Sequence, residues 1–82
     1  MIKIYTTENC KNCDKAKEYF KSNGIPYEEI NLKEKDNREA RAYYRSLGLT
    51  TLPVIVIGEE IIPEFDEDMI KDIMEKENGK GR

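Results

Sequence analysis

With 82 residues the chain has material for one modest hydrophobic core and no second domain, so any active site lies at a surface. Hydrophobic and charged residues each make up 38% of it and the formal net charge is -3. That balance fits a compact, heavily ionised domain and excludes a basic nucleic-acid binder, which must neutralise phosphates with clustered Lys and Arg.

Ile2-Lys3-Ile4-Tyr5 alternates apolar with less apolar residues and reads as a short strand, ended by the polar Thr6-Thr7-Glu8-Asn9. From Lys11 to Ser22, Cys13, Ala16, Tyr19 and Phe20 recur at three- and four-residue spacing, which predicts a helix stopped by Asn23-Gly24. Cys10 therefore falls at or just before a helix N-terminus. Pro26 to Leu32 resumes strand character through Tyr27 and Ile30, and strand, helix, strand at this length implies parallel pairing with a crossover.

A second helix is expected from about Asp36 to Leu47, burying Ala40, Tyr43, Tyr44 and Leu47 and ending at Gly48. Val54-Ile55-Val56-Ile57 is a continuous β-branched run, the pattern of a central strand covered on both sides. Gly58-Glu59-Glu60 turns it into a short partner, Ile61-Ile62. Asp66 can cap a last helix with Met69, Ile70, Ile73 and Met74 on one stripe, Met69 being expected at the core or its rim with Tyr43 and Tyr44. Residues 76–82 are expected to form a frayed tail. The reading is one α/β domain over residues 1–82, with a four-stranded mixed sheet flanked by three helices in the order β-α-β-α-β-β-α.

No apolar run nears the ~20 residues of a membrane-spanning helix, and the N-terminus lacks the apolar stretch of a signal peptide. The expected setting is cytoplasmic, with no membrane and no nucleic-acid partner. In a reducing compartment two cysteines point away from a permanent staple and towards redox or metal chemistry.

A thiol reacts as its thiolate, and the amides and dipole of a helix N-terminus favour negative charge at Cys10. Lys11 and Lys15 add to that field, while Glu8 and Asp14 oppose it. Residues three apart in a helical turn share a face, so the sulfurs of Cys10 and Cys13 can meet. Cys10 can then attack a substrate disulfide, and Cys13 can resolve the mixed disulfide by closing the Cys10–Cys13 bond. Asp14 is either a proton acceptor for Cys13 or a first-turn acid complementing the dipole. Two other readings stay open. A closed zinc site needs four ligands, and this chain has two Cys and no His, so metal would require carboxylates or a second chain. An inert clip would close too small a loop to stabilise the fold much.

Thr51-Leu52-Pro53 stands directly before the buried run, where a proline belongs only at a strand's first residue or in a special turn. Taken alone, a trans proline that starts a strand is the ordinary reading. A cis Pro53 would leave the backbone of Leu52 free to pair with an extended substrate beside the cysteines.

Cys10-Lys11-Asn12-Cys13 after the first strand, Thr51-Leu52-Pro53 before the third and Gly58 in the following turn together resemble the glutaredoxin family of the thioredoxin superfamily. Within it the chain is most similar to NrdH-type glutaredoxin-like redoxins. The resemblance implies a thioredoxin-like fold, Cys10 as nucleophile, Cys13 as resolving thiol and a cis Pro53. Lys11 and Asn12, with Thr51, Leu52 and Pro53 across from them, are expected to border the substrate. The cofactor is then none beyond the redox-active pair, and the chain works as a monomer.

Two departures from glutaredoxins bear on the electron donor. Thr7 stands where they commonly carry a Lys, and Pro63-Glu64-Phe65-Asp66 where they carry a Gly-Gly turn. Those family features receive the carboxylates of glutathione, so their loss removes attraction and the acids add repulsion. Glu64-Phe65-Asp66-Glu67-Asp68 instead resembles the Phe-containing, Asp-rich segment of NrdH-type proteins, which take electrons from thioredoxin reductase. The implied function is reduction of protein disulfides, ribonucleotide reductase among the implied targets. The alternatives are a glutathione-dependent glutaredoxin, or a module in which Cys10 from two chains holds metal or an iron-sulfur cluster.

Overall fold

The structure, a computed structural model, describes residues 2–80, the last three by backbone alone. Ile2–Thr6 (β1) runs between Glu28–Asn31 (β2) and Val54–Ile57 (β3), and Glu60–Ile62 (β4) closes the far edge, giving the order β2-β1-β3-β4. β1 is parallel to β2 and antiparallel to β3, and β3 is antiparallel to β4. The sheet is therefore mixed, as expected, and the first strand lies inside it.

Register decides which residues form the core. Ile4 stands opposite Ile55, and Ile55 opposite Ile62, so these side chains share one face of the pleat. On that face they meet Ala16 and Phe20 of α1 (Lys11–Ser22) and Ile70 and Ile73 of α3 (Glu67–Lys80). Ala16 and Phe20 are four residues apart, which keeps them on one stripe of α1. Phe20 also meets Tyr27 at 5.8 Å between ring centroids, tying α1 to the chain entering β2.

The second helix departs from expectation. It runs from Arg38 to Ser46 (α2), preceded by a 3₁₀ turn at Lys35–Asn37, and none of its side chains is buried. Ala40, Tyr44 and Leu47 are half-buried and Tyr43 is 39% exposed. The reason lies in the sheet face opposite the core. It presents Tyr5 and Val54, which are buried, but also Lys3 and Glu28, which are charged and exposed. Val56 is only half-buried there and Ile61 is 37% exposed, so the β3 run is covered on both sides at Val54 and not along its whole length.

Polar contacts fix α2 instead. Arg41 Nη1 donates to the carbonyls of Leu32 at 2.8 Å and Glu34 at 2.7 Å, and Asn37 Nδ2 donates to the Asn31 carbonyl at 2.8 Å. Tyr43 reaches Tyr5 at 5.6 Å between ring centroids.

Asp66 caps α3 as expected, its carboxylate accepting from the Met69 amide at 3.1 Å. Ile70 and Ile73 are buried and Met74 packs against the core, but Met69 points out, at 41% exposed. α3 continues to Lys80, where a frayed tail was expected from residue 76; residues 81 and 82 lie outside the described residues. Two side chains of this stretch lie beside the end of β3 and the start of β4. Lys76 Nζ lies 3.3 Å from Glu60 Oε1, and a Cβ at Gly58 would come within 3.2 Å of the Glu77 carboxyl. Among the described residues no helix is long and apolar enough to cross a membrane.

Candidate active site

β1 delivers the chain to the cysteines through a reversal. Asn9 has a φ of 54°, a left-handed conformation that Asn tolerates better than most residues, and Cys10 then returns to extended geometry as the N-cap of α1. The helix begins under the Cys10 side chain. The Cys13 amide donates to Cys10 Sγ at 3.1 Å, and the Asp14 amide donates to the Cys10 carbonyl at 3.1 Å. Sulfur 10 thus occupies the capping position that serine or aspartate oxygen fills elsewhere.

The two cysteines are bridged, with Cα atoms 5.2 Å apart, and they differ in access. Cys13 is 1% exposed and Cys10 is half-buried, so a substrate can reach only the latter readily. The Leu52–Pro53 peptide is cis, as the resemblance implies, and Pro53 is buried. The Leu52 carbonyl lies 4.0 Å from Cys10 Sγ. Lys11 and Asn12 are exposed in the turn between the cysteines. The fold therefore brings together the CxxC turn and the Thr51–Pro53 loop, which are some 40 residues apart in sequence.

Thr51 makes internal bonds. Its hydroxyl donates to the Pro63 carbonyl at 2.6 Å, while its own carbonyl accepts from the Tyr44 hydroxyl at 2.9 Å. Sequence reasoning missed Tyr44 here, and nothing in the stripe of α2 could have singled out its hydroxyl. Asp14 has a side chain 77% exposed and pairs with Lys17 at 3.6 Å, which fits a solvated first-turn acid.

A second polar group escaped the sequence reading. Glu29 lies opposite Ile4, on the core-facing side of the edge strand β2, and its Oε2 accepts from the Thr6 hydroxyl at 2.9 Å and from Lys17 Nζ at 3.0 Å. Burial pushes the Glu29 pKa up, but the bonds from Lys17 and Thr6 outweigh it and hold the carboxyl below its ordinary range. Lys17 is raised in turn, chiefly by its hydrogen bond to Glu29. The strand's alternation carried the signal, because a carboxylate at inward parity requires a partner.

Beyond the first turn of α1 a shallow groove of about 760 Å³ separates α1 from the start of α3, with Asp14, Lys15, Tyr19, Phe65, Glu67 and Lys71 on its walls. Phe65 packs edge-on against Tyr19 at 5.9 Å, so the aromatic of the acidic segment is part of this wall.

Residues 2–62 match the glutaredoxin family model. An uncharacterized glutaredoxin-like 8.6 kDa protein in the rubredoxin operon of Clostridium pasteurianum is 38% identical over 78 residues, which span 93% of this chain and 100% of that protein. The glutaredoxin-like protein NrdH of Escherichia coli is 33% identical over 69 residues, 84% of this chain and 83% of that one. A solved structure of the NrdH-redoxin from Escherichia coli, described as the basis of a thioredoxin-like activity profile, superposes with a TM-score of 0.77 at 32% identity. That superposition covers 87% of this chain and 91% of the other.

Proposed function

The chain belongs to the glutaredoxin family, and from that membership we propose that it is a small dithiol-disulfide oxidoreductase that carries electrons to protein disulfides. The observation that carries the reading is the asymmetry of the pair, with sulfur 10 accessible and amide-bonded and sulfur 13 buried directly behind it.

In the reduced protein the Cys10 thiolate attacks one sulfur of a substrate disulfide. A Cys10–substrate bond forms, the substrate S–S bond breaks, and the first substrate sulfur leaves as a thiolate that takes up a proton. Cys13 then loses its proton and attacks Cys10 Sγ, which forms the Cys10–Cys13 bond and releases the second substrate thiol. The substrate gains two electrons and two protons; the pair gives up the two electrons and the Cys13 proton, and water supplies the other proton, the one Cys10 released on ionising. The amide at 3.1 Å assists the first step by stabilising the thiolate of Cys10. Burial of Cys13 keeps it from competing for substrate, and its fixed distance makes the second step intramolecular.

Thioredoxin reductase recharges the pair in this reading, and glutathione is the weaker donor. Thr7 offers no positive charge, and Glu64 and Asp66 place negative charge on the segment after β4. The thioredoxin-like activity profile described for the related NrdH-redoxin supports the same choice. The chain acts as a cytoplasmic monomer without a further cofactor, on a disulfide-bearing protein for which ribonucleotide reductase is the candidate that the NrdH likeness suggests. The test couples the protein to NADPH through thioredoxin reductase in one assay and through glutathione with glutathione reductase in another. Faster turnover in the first is expected, and turnover with glutathione alone would overturn the choice of donor. Metal content and oligomeric state of the purified protein decide against or for the shared-cluster alternative.

A further inference from the structure

The loop facing the redox pair is held from outside by two hydrogen bonds that the exchange reaction does not itself use. Tyr44 reaches from α2 to the Thr51 carbonyl at 2.9 Å, and the Thr51 hydroxyl reaches the Pro63 carbonyl at 2.6 Å. The next residue, Leu52, carries the carbonyl that lies 4.0 Å from Cys10 Sγ. α2 buries no side chain, and the Tyr44 bond is what ties that helix to the loop.

Two groups then act on sulfur 10 in opposite senses. The Cys13 amide donates to it and favours the thiolate. The Leu52 carbonyl presents the negative end of its dipole and can accept only from the protonated thiol, so it favours the neutral form. Its influence lasts only while the loop stays in place.

We propose that Tyr44 and Thr51 are positioning residues for the exchange site: they hold the Leu52 carbonyl against Cys10, and so set both the seat of an incoming disulfide and the ease with which Cys10 ionises. The first half rests on the oxidoreductase reading, and the second concerns the reduced chain whatever its substrate. The charged residues carried by the segments that meet there are Glu8, Lys11, Asp14 and Lys15 on the loop and helix of Cys10 and Glu64 after Pro63. The Thr51–Pro53 loop carries none, and replacing Thr51 removes no titratable group.

The experiment follows the rate of iodoacetamide alkylation against pH in a Cys13→Ser background, where Cys10 is the one thiol. It compares the parent with Tyr44→Phe, Thr51→Val, Thr51→Ser and a control, Ser46→Ala, whose hydroxyl bonds the Tyr43 carbonyl within α2. Tyr44→Phe and Thr51→Val should move the midpoint to lower pH, because the loop withdraws and water replaces the carbonyl. Thr51→Ser should restore it, and Ser46→Ala should leave it unmoved. In the dithiol protein the same two variants should raise KM for insulin about five-fold, the worth of one hydrogen bond, with kcat changing less. Unchanged midpoints in variants that keep the parent's circular dichroism would overturn the proposal, as would a loss confined to kcat. A parent protein that leaves insulin intact sinks the oxidoreductase reading instead, and the titration then decides the clamp alone.

Discussion

The backbone amide of Cys13 donates to the sulfur of Cys10 at 3.1 Å, so in the proposed exchange the residue assigned to resolve the reaction also stabilises the one assigned to begin it. A side chain at the N-cap accepts from an amide one turn on, and here the acceptor is sulfur.

That division of labour predicts different failures for the two cysteines. Cys10→Ser should abolish disulfide reduction, whereas Cys13→Ser should complete the first step and stall. Mass spectrometry of the Cys13→Ser protein after reaction with insulin should find a covalent adduct through Cys10. An adduct-free Cys13→Ser protein would remove Cys10 from the role of nucleophile.

The uneven packing of the two sheet faces predicts uneven costs. Phe20 is wholly buried among Ala16, the β-strand isoleucines and α3, so Phe20→Ala should cost about 3–4 kcal/mol. Tyr43→Ala, on the side of α2, should cost about 1 kcal/mol or less, because that ring is already 39% exposed. Urea unfolding of both variants measures the contrast, and equal losses would mean that α2 carries as much of the stability as α1.

Gly58 turns β3 into β4 with a φ of 61°. An alanine there would also approach the Glu77 carboxyl at 3.2 Å, but that group is the end of a flexible side chain and can move aside. Backbone strain therefore dominates, and Gly58→Ala should lower unfolding free energy by about 1–2 kcal/mol in urea titration.

The Glu29 carboxyl is depressed in the folded chain, burial being outweighed by the bonds from Lys17 and Thr6. Its stabilising contribution is present above the unfolded carboxylate value and disappears as pH falls through the lower, folded value. The raised pKa of Lys17 gives a contribution present below its unfolded value and lost as pH rises through the folded one, well above neutrality. Glu29→Gln should therefore melt below the parent at neutral pH, and the gap in Tm should narrow as pH drops below about 4. The gap should be small and should shrink in salt, since the Glu29 side chain is 38% exposed. A gap that widens in acid would contradict this account.

The parts of the molecule differ in how plainly the sequence announced them. Cys10 was legible as a helix cap because Cys13, Ala16 and Phe20 mark the buried stripe that begins beside it. The β-branched run at Val54–Ile57 gave the inner strand for the same reason, that burial selects residue type. The cis Leu52–Pro53 bond came from family likeness, since proline alone is compatible with either isomer. Burial on α2 was misjudged because periodicity counts apolar positions and does not say that Lys3, Glu28 and a half-open Val56 lie on the sheet face opposite. Tyr44 is invisible because a hydroxyl finds its partner through tertiary register, while at Glu29 the alternation of β2 marks an inward carboxylate without naming its partners. The end of α3 is not legible because the partner that Lys76 meets, Glu60, lies far from it in sequence.

The proposed exchange turns on Cys10 being ionised at neutral pH by the amide of Cys13 and the start of α1. The most direct check is the pH dependence of Cys10 alkylation in the fully reduced protein, with the modified residue identified by peptide mapping. The midpoint should fall clearly below the value near 8.5 of an ordinary cysteine, with Cys10 labelled long before Cys13. A midpoint at or above that value, or equal labelling of both residues, would contradict it.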